Sequence, residues 1–383
     1  MNIIIPKEAA SELRVPMLPQ NIEKLFKKGA KITVESGLGR TLGISDNDYK
    51  KAGASIEKNR KKLLASGDIV LRLRKPDLKE VTSLKKGSIH VSYLDPFNEP
   101  KLLETLAKQR VSAISIEMIP RSTRAQKMDA LSSQASLAGY AAVVLAAGNL
   151  YKIFPMMMTP AGTLQPSKVF IIGAGVAGLQ AIATARRLGA KVDAFDTRPI
   201  AKNDVLSLGA KFVEVDLGET GQTAQGYAKA LTEEQLKKQR EVMKQHCAQA
   251  DIVITTAQVF GRKAPVIVTK EMVAAMKPGS VVVDLAIETG GNVEGAILGK
   301  TIEKNGVKII GMANMSARVA LHASQMYSNN LTNLIDEFWN KEKKHFELKL
   351  EDDIIKSCLM THGGAVVHPT FAPPKKEKKS NKG

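Results

Sequence analysis

A glycine-rich turn between a strand and a helix is the feature that most restricts how this chain can fold. Gly173-Ala174-Gly175-Val176-Ala177-Gly178 follows the apolar stretch 169–172 and precedes a helical pattern over 179–188. In such a motif the first glycine makes a tight turn, the second lets the backbone approach a pyrophosphate, and the third lets helix and strand pack closely. The helix N-terminus also attracts phosphate charge. The motif therefore predicts a parallel α/β sheet with a dinucleotide site at Gly173, Gly175, Val176 and Gly178.

An acidic residue after the next predicted strand adds specificity to this motif. Asp196 directly follows the stretch 191–195, eighteen residues after Gly178. A carboxylate there accepts both hydroxyls of an adenosine ribose and repels a 2′-phosphate, which favours NAD(H) over NADP(H). Arg198, two residues later, leaves the charge balance of this loop open. The alternative is a strand, turn and helix that bind no ligand, with Asp196 an ordinary loop residue.

Short apolar stretches alternate with helical patterns through most of the sequence. They lie at 3–5, 31–34, 69–71, 89–91, 169–172, 191–195, 252–254, 281–283 and 307–310. This alternation predicts an α/β protein with two Rossmann-like, doubly wound parallel-sheet domains, the first of them discontinuous. We expect 138–317 to be the dinucleotide-binding domain and 1–137 with 318–372 to be the other, followed by a basic, disordered tail at 373–383.

Three local patterns complete this organisation. A long amphipathic helix is expected from Ser316, as its N-cap, to Trp339. Residues 347–350 and 365–367 are expected to pair as a terminal hairpin around the turn Thr361-His362-Gly363-Gly364. The run Met156-Met157-Met158 is expected to fill gaps in a core, because thioether side chains adapt to irregular space.

Charge, cysteine content and hydropathy exclude several classes of protein. Cys247 and Cys358 follow no metal-ligand spacing, so we expect no metal, no disulfide and a reducing, cytoplasmic location. The first residues resemble a strand and not a signal peptide. The longest apolar run, 137–147, is shorter than the roughly 20 residues of a bilayer span and is expected to be a buried helix. The net charge of +18 is spread along the chain without interleaved aromatic residues, so nucleic-acid binding is not predicted.

Five further segments are similar to one family. They are Pro120-Arg121-Ser122-Thr123-Arg124-Ala125-Gln126-Lys127-Met128-Asp129-Ala130-Leu131-Ser132-Ser133-Gln134, Leu137-Ala138-Gly139-Tyr140, Phe154-Pro155-Met156-Met157-Met158-Thr159, Met276-Lys277-Pro278-Gly279-Ser280 and Gly364-Ala365-Val366-Val367-His368-Pro369. With the glycine motif, they resemble the soluble NAD(H)-binding component of the proton-translocating NAD(P) transhydrogenases, a family that shares its fold with alanine dehydrogenase. The resemblance covers nearly the whole chain.

The resemblance implies roles that the patterns alone do not assign. It implies that the nicotinamide end of NAD(H) is surrounded by Arg121, Gln126, Asp129 and Ser132, the first three of them catalytic. It implies that Gly173, Gly175 and Asp196 hold the adenosine half. Tyr227 falls in a loop that closes over the nucleotide in this family, and an ordinary surface loop is the alternative. Without the resemblance, Thr123-Arg124-Ala125-Gln126 would be interpreted as the capping box of a solvated helix.

The implied activity is that of a Si-/Re-specific transhydrogenase. The chain would bind NAD(H) and present its nicotinamide for direct hydride transfer to NADP⁺ on another subunit, coupled to proton translocation by a separate membrane component. A second glycine-rich stretch, Gly37-Leu38-Gly39-Arg40-Thr41-Leu42-Gly43, has loop and helix-cap chemistry, so NADP(H) is expected on a partner chain. The resemblance also implies a homodimer, held at the cytoplasmic face of the inner membrane through its partner subunits.

Two alternatives remain, an alanine-dehydrogenase-like oxidoreductase and an NAD(H)-sensing subunit without a redox role. In alanine dehydrogenases an arginine, a lysine, a tyrosine and a histidine act on the substrate, and these positions fall here on Arg14, Arg74, Tyr93 and Asp95. Arg74 does not readily release a proton, and Asp95 replaces the imidazole. His90 is no obvious substitute, because on an alternating strand it faces away from Tyr93 and Asp95. Transfer between two nicotinamides needs no such acid or base, so the departure favours the transhydrogenase.

Overall fold

The computed structural model describes residues 1–215 and 232–373. Two sequence predictions, the loop with Tyr227 and the basic tail, lie outside these residues, apart from the first residue of the tail. Two compact units are present: unit 1 is Met1–Leu131 with the chain from Ala320 onward, and unit 2 is Ser132–Val319.

Nineteen strands are present in the described residues. They are β1 (Asn2–Ile5), β2 (Lys31–Glu35), β3 (Ser55–Glu57), β4 (Ile69–Leu71), β5 (Ile89–Ser92), β6 (Ser112–Ser115), β7 (Met157–Thr159), β8 (Gly162–Leu164), β9 (Lys168–Ile172), β10 (Lys191–Phe195), β11 (Lys211–Phe212), β12 (Ile252–Thr255), β13 (Val281–Asp284), β14 (Thr301–Lys304), β15 (Val307–Ile310), β16 (Trp339–Asn340), β17 (His345–Phe346), β18 (Leu359–His362) and β19 (Ala365–Val366). Each of the nine apolar stretches predicted to alternate with helices lies within one of them.

Twelve α-helices lie between these strands in the part of the chain that the structure describes. They are α1 (Pro19–Lys27), α2 (Asp46–Lys51), α3 (Arg60–Ser66), α4 (Leu78–Val81), α5 (Pro100–Lys108), α6 (Ala130–Asn149), α7 (Val176–Arg187), α8 (Ala201–Ser207), α9 (Glu233–Gln249), α10 (Lys270–Ala274), α11 (Ala320–Glu337) and α12 (Asp353–Cys358). Single 3₁₀ turns occur at Arg40–Leu42, Ile116–Met118, Gln126–Met128, Ile287–Thr289 and Met315–Val319.

Unit 2 contains a seven-stranded sheet in the order β11-β10-β9-β12-β13-β15-β14. All neighbours are parallel except β14, which pairs antiparallel with β15 at the edge. The winding reverses at β9, because the chain proceeds to β10 on one side and later returns to β12 on the other. In open α/β sheets, ligands bind at the carboxyl ends of the strands beside such a reversal.

Unit 1 contains an eight-stranded sheet with the same winding. Its order is β19-β18-β6-β5-β4-β1-β2-β3, with β1 to β6 parallel and the hairpin β18-β19 added antiparallel at one edge. The reversal falls at β1, between β2 and β4. The α11 helix closes this unit against residues near the start of the chain: Ser324 Oγ accepts from Val15 N at 2.9 Å, and Ser328 Oγ accepts from Leu18 N at 3.0 Å.

Both sheets are buried on both faces, which explains the nearly continuous apolar strands. In unit 2, Ile171 belongs to one core cluster and Phe170 to the cluster on the opposite face. Unit 1 is arranged in the same way, with Ile5 in one cluster and Ile4 in the other. The predicted α/β class with doubly wound parallel sheets is confirmed.

Two of the three local predictions concern secondary structure, and both need correction. The long helix is α11, which begins at Ala320; the predicted N-cap Ser316 lies in a preceding 3₁₀ turn, and Trp339 lies in β16. The terminal hairpin pairs β18 with β19, and residues 347–350 form no strand. The predicted turn is present, with Gly363 and Gly364 at φ values of 60° and 94°. The strand that pairs with β19 across this turn is β18, and not the predicted segment 347–350.

The methionine run is not core filler. Met156, Met157 and Met158 are 59%, 45% and 75% exposed. The last two belong to β7, which pairs only with β8 in a two-stranded ribbon whose residues are all exposed. Such a ribbon has no second layer to bury its faces, so apolar composition alone could not place these side chains in a core.

The apolar run 137–147 lies within the 20-residue helix α6. Among the described residues, this is the one helix whose length and composition would suffice to span a membrane, and 39% of its apolar window is buried. Ala142, Val143 and Ala146 belong to a core cluster of unit 2, whereas Tyr140 and Val144 are exposed. The predicted burial therefore holds for one face of the helix.

Candidate functional site

The carboxyl edge of the unit 2 sheet carries the glycine motif at the reversal of the winding. Gly173 follows β9, and Asp196 follows the neighbouring strand β10. Thr256 follows β12, on the other side of β9. The motif, the acidic residue and the end of β12 therefore lie side by side, as the sequence pattern predicted for the first two.

The three glycines differ in what surrounds them. Gly173 has φ +98°, and a Cβ there would lie 2.6 Å from Thr256 Oγ1; a Cβ on Gly178 would lie 1.9 Å from the carbonyl oxygen of Gly173. A Cβ on Gly175 would meet no protein atom within 4 Å. The first and third glycines are thus required by the turn and by close packing. The second borders open space, where the backbone can approach a ligand.

Helix α7 begins at this open space. Its N-cap is Gly175, and no side chain caps the helix. Backbone N–H groups in the first turn of an α-helix have no partner within the helix, and the helix dipole adds positive charge there. Gly139 of α6 packs behind this turn, since a Cβ on Gly139 would lie 2.1 Å from the carbonyl oxygen of Ala177. The arrangement suits a phosphate group.

The carboxylate of Asp196 is nearly buried and fully engaged. Its Oδ2 accepts from Ala174 N at 2.7 Å and from Arg198 Nη2 at 2.8 Å, and its Oδ1 accepts from Arg198 N at 2.8 Å and Nε at 2.9 Å. The side chains of Asp196 and Arg198 are 6% and 16% exposed. Asp196 therefore fixes the glycine turn through Ala174 and also forms a forked ion pair with Arg198.

Sequence reasoning missed a second set of residues that shapes this edge. Thr256 Oγ1 donates to the carbonyl of Gly173 at 3.0 Å, and Ala257 N donates to Asn292 Oδ1 at 3.0 Å. Asp284, the last residue of β13, accepts from the backbone N–H groups of Asn292 and Val293 at 2.8 and 3.0 Å. Burial raises the pKa of Asp284. For Thr256 and Asp284 the available signal was their position at the end of a buried strand, because the carboxyl edge of the sheet lies there.

The residues assigned to the nicotinamide end lie on and beside a 3₁₀ turn. Gln126 begins this turn, with Arg121 before it and Asp129 after it in unit 1, and Ser132 lies in α6, in unit 2. Gln126 and Arg121 are exposed, and Asp129 and Ser132 are partly buried. The alternative capping box does not form, since the turn has Ala125 as its N-cap and no side-chain cap.

Buried side chains and hydrogen bonds from α11 fix this turn within unit 1. Ala125 and Met128 are fully buried, and the carbonyl of Lys127 accepts from Asn330 Nδ2 at 3.1 Å and from Asn333 Nδ2 at 2.9 Å, both on α11. These contacts fix the backbone of the turn, while the side chain of Gln126 remains exposed. A rigid backbone of this kind can position a side chain for a ligand.

Three of the four positions that correspond to the alanine dehydrogenase site take part in ion pairs, and the fourth, Tyr93, stacks on Tyr327. Arg14 Nη2 and Arg74 Nε donate to Glu12 Oε2 at 2.8 and 2.9 Å, and Lys75 Nζ lies 3.1 Å from Asp95 Oδ2. Burial opposes ionisation of Glu12, but hydrogen bonds and charge from Arg14 outweigh it and lower the pKa of Glu12 to about 2. Both arginines therefore face a permanent carboxylate within the protein.

The described residues contain one fully buried histidine, His90, beside the alanine dehydrogenase positions. His90 Nε2 lies 3.0 Å from Ser92 Oγ, and burial lowers the pKa of His90 to about 3, so the ring is neutral at ordinary pH. Within residues 1–215 and 232–373, no group of three or more His, Cys, Asp or Glu side chains is arranged to hold a metal ion.

Comparison with known proteins gives matches over nearly the full length. The family models "Alanine dehydrogenase/PNT, N-terminal domain" and "Alanine dehydrogenase/PNT, C-terminal domain" match residues 4–138 and 142–369. An alpha-subunit chain of NAD(P) transhydrogenase from Rhodospirillum rubrum is 44% identical over 379 residues, which cover 97% of this chain and 99% of that protein. The crystal structure of transhydrogenase from Sinorhizobium meliloti has a TM-score of 0.83 and 42% identity, covering 97% and 100% of the two chains. Alanine dehydrogenase of Methanococcus maripaludis is 28% identical over 383 residues, covering 97% of this chain and 96% of that protein.

Proposed function

Because the chain belongs to the alanine dehydrogenase/PNT family, we propose that it is the NAD(H)-binding component of a proton-translocating NAD(P) transhydrogenase. It binds NAD(H) and presents the nicotinamide to NADP⁺ held by another subunit, while a separate membrane-spanning component moves protons. The transhydrogenase alpha-subunit chain of Rhodospirillum rubrum supports this assignment, at 44% identity.

The observation that carries the proposal is the open space beside Gly175 at the N-terminus of α7. It lies at the reversal of the unit 2 sheet, next to the carboxylate of Asp196. A pyrophosphate and an adenosine ribose need these two features at adjacent strand ends. One open backbone turn and one acidic side chain therefore favour a single dinucleotide of the NAD(H) type.

When bound, the nicotinamide supplies the hydride chemistry, and transfer to a second nicotinamide requires no proton donor. The tasks of this chain are binding and orientation. Gly173 and Gly178 shape the turn on which Gly175 and Val176 bind the pyrophosphate, and Asp196 binds the ribose. Arg121, Gln126, Asp129 and Ser132 orient the nicotinamide. Tyr227, which the family resemblance also assigns to the nucleotide site, lies outside the described residues.

An alanine-dehydrogenase-like activity is the second candidate, supported by the family and by the presence of Arg14 and Tyr93. Two observations disfavour it. Arg14 and Arg74 both donate to Glu12, and the position expected for the catalytic imidazole holds Asp95. Turnover of pyruvate and ammonia with NADH by this chain alone would contradict the transhydrogenase proposal.

We infer that the chain pairs as a homodimer and is held at the cytoplasmic face of the inner membrane by its partner subunits. The exposed ribbon β7-β8 supports pairing, because Met157, Met158 and Leu164 are 45%, 75% and 51% exposed in a single chain. Solvated apolar surface of this kind is typical of an interface. Sedimentation of the full chain at micromolar concentration should give twice the chain mass.

The central test is single-turnover hydride transfer with an added NADP(H)-binding transhydrogenase subunit. The wild-type chain should bind NADH and transfer its hydride. Gln126→Asn shortens one side chain on an anchored turn, so NADH affinity should stay within about twofold while the transfer rate falls by about tenfold or more. Gln245→Asn, at an exposed position of α9, is the matched control. NADH binding without any transfer would favour the NAD(H)-sensing alternative, and a normal rate in Gln126→Asn would remove its assigned role.

A further inference from the structure

The ion pair at the end of β10 bears on how the proposed NAD(H) site rejects a 2′-phosphate. Asp196 accepts four hydrogen bonds on its two oxygens, two from backbone N–H groups and two from the guanidinium of Arg198. A carboxylate has about four acceptor sites. The ribose hydroxyls can therefore reach Asp196 only where one of these donors withdraws.

The Arg198 side chain is the donor that can withdraw. The N–H groups of Ala174 and Arg198 are fixed by the glycine turn and by the loop after β10, whereas the guanidinium stands on a flexible stem. At 16% exposure, this side chain lies beside the carboxylate in a partly desolvated position. Removal of one partner from such a pair leaves an uncompensated charge, which favours binding of another ion of the missing sign.

The ion that would replace the carboxylate is a phosphate on the ribose. A 2′-phosphate is attached to the same ribose that Asp196 is proposed to bind, and a guanidinium binds phosphate in the forked manner in which Arg198 now binds the carboxylate. The neighbouring cation Lys202 is paired with Glu214, with 2.6 Å between Nζ and Oε1. The carboxylate of Asp204 interacts with Arg198 through its charge. Arg198 is thus the cation already placed at this strand end.

We propose that Arg198 is a latent 2′-phosphate receptor that Asp196 keeps engaged, so that the pair, and not the carboxylate alone, determines nucleotide specificity. The inference rests on the proposed binding of NAD(H) at this site. Asp196 has two effects: it repels a 2′-phosphate, and it occupies the guanidinium that would otherwise receive one. The acidic residue and its arginine partner are specificity-determining residues for the same nucleotide.

Four variants separate these effects, with dissociation constants for NADH and NADPH as the readout. Asp196→Ala should weaken NADH binding by about tenfold and strengthen NADPH binding by about tenfold or more. Asp196→Ala with Arg198→Met should lose the gain in NADPH binding. Arg198→Met alone should still reject NADPH and should bind NADH at least as tightly as the wild type, because no ion pair has to open. Asp204→Ala is the control for net charge and should change NADPH binding by less than about twofold.

The adenosine fragments isolate the phosphate itself. Adenosine 2′,5′-bisphosphate should bind more tightly than 5′-AMP to Asp196→Ala, and this difference in affinity should disappear in the double variant. If Asp196→Ala does not fold, Asp196→Asn replaces it, since the amide keeps the size of the side chain and lacks the charge that holds Arg198.

The outcomes distinguish this inference from the proposed function. Equal NADPH affinity in the single and double variants, or no gain in the folded single variant, would overturn the role of Arg198 while wild-type NADH binding remained. A wild-type chain that does not bind NADH would contradict the proposed function, and the inference with it.

Discussion

The two sheets of this chain wind in the same order, yet the edges where their winding reverses carry opposite chemistry. In unit 2 the reversal at β9 presents a glycine turn, an uncapped helix and open space, beside the ion pair of Asp196 and Arg198. In unit 1 the same edge is filled by charged side chains. Glu35 ends β2, Glu8 follows β1, and Arg72 follows β4.

These charged side chains form a connected network. Arg72 Nη1 lies 2.6 Å from Glu80 Oε2, Arg60 Nε lies 2.5 Å from Glu80 Oε1, and Glu35 Oε2 accepts from Lys7 N at 2.8 Å. Arg60 also pairs with Glu35. The side chains of Glu8, Glu35 and Arg72 are 3%, 7% and 6% exposed. The shared winding provides a crevice in both units, and the residues at its edge decide whether a ligand or the protein itself fills it.

The largest expected effect tests whether the unit 1 network is structural. Arg72→Met removes one partner of a buried network and should lower the free energy of unfolding of unit 1 by about 3–5 kcal/mol. Arg124→Met removes an exposed guanidinium that pairs with Asp352 and Glu337 and should lower the free energy of unfolding far less, because solvent screens such pairs. The sole tryptophan, Trp339, is buried in unit 1, so its fluorescence during urea unfolding reports this unit. Equal costs for the two variants would show that the network contributes little to stability.

A smaller effect tests whether the unit 2 edge is reserved for a ligand. Gly175→Ala adds a methyl group that meets no protein atom, so stability should be kept while NADH affinity falls by about tenfold or more. Gly178→Ala forces a Cβ against the backbone and should weaken both. Gly148→Ala, in α6 with nothing within 4 Å, is the matched control and should leave both intact. Calorimetric melting and NADH titration measure the two effects, and unchanged affinity in Gly175→Ala would contradict the assigned pyrophosphate site.

The smallest effect is the dependence of unit 1 stability on pH. Burial lowers the pKa of His90 to about 3; burial opposes ionisation of Glu80, but Arg60 and Arg72 outweigh it and lower its pKa to about 2. Both values lie below those of the unfolded chain, so the unfolded state binds more protons and stability falls as pH decreases. The loss begins near pH 6.5 for His90 and near pH 4.5 for Glu80, at up to about 1.4 kcal/mol per pH unit for each group.

Trp339 fluorescence in urea at pH 7 and pH 5 measures this dependence. His90→Asn should reduce the slope between these values, and His322→Asn, at an exposed position of α11, should not. An unchanged slope in His90→Asn would show that the buried imidazole is not the group that titrates.

The sequence predicted the sheets better than the contacts at their edges. Buried strands such as β9, β12 and β13 are continuous apolar stretches, and the glycine motif lies directly after one of them, so class and motif followed from local pattern. The family resemblance is confirmed by matches over 4–138 and 142–369. The assigned roles of Arg121, Gln126, Asp129 and Ser132 remain predictions.

What pattern could not predict depends on pairing between distant segments. The strands of the hairpin could not be predicted, because β18 pairs with β6, whose residues are 245 or more positions away. The exposure of the methionines could not be predicted, because it depends on the lack of a second layer over β7-β8. The forked pair of Asp196 and Arg198 depends on the loop path after β10. The Glu8–Arg72 pair joins the ends of β1 and β4, between which the chain forms three helices and two further strands. Each is a contact that residue type allows but does not specify.

The closure of unit 1 by α11 also has a consequence for biosynthesis. Val15 and Leu18 donate to residues 309 and 310 positions later in the chain, whereas unit 2 is continuous from Ser132 to Val319. Since translation proceeds from the amino terminus and domains fold as units, the ribosome releases all of unit 2 before the helix that completes unit 1 has been made. The amino-terminal third must therefore wait, partly assembled, until the last segment emerges.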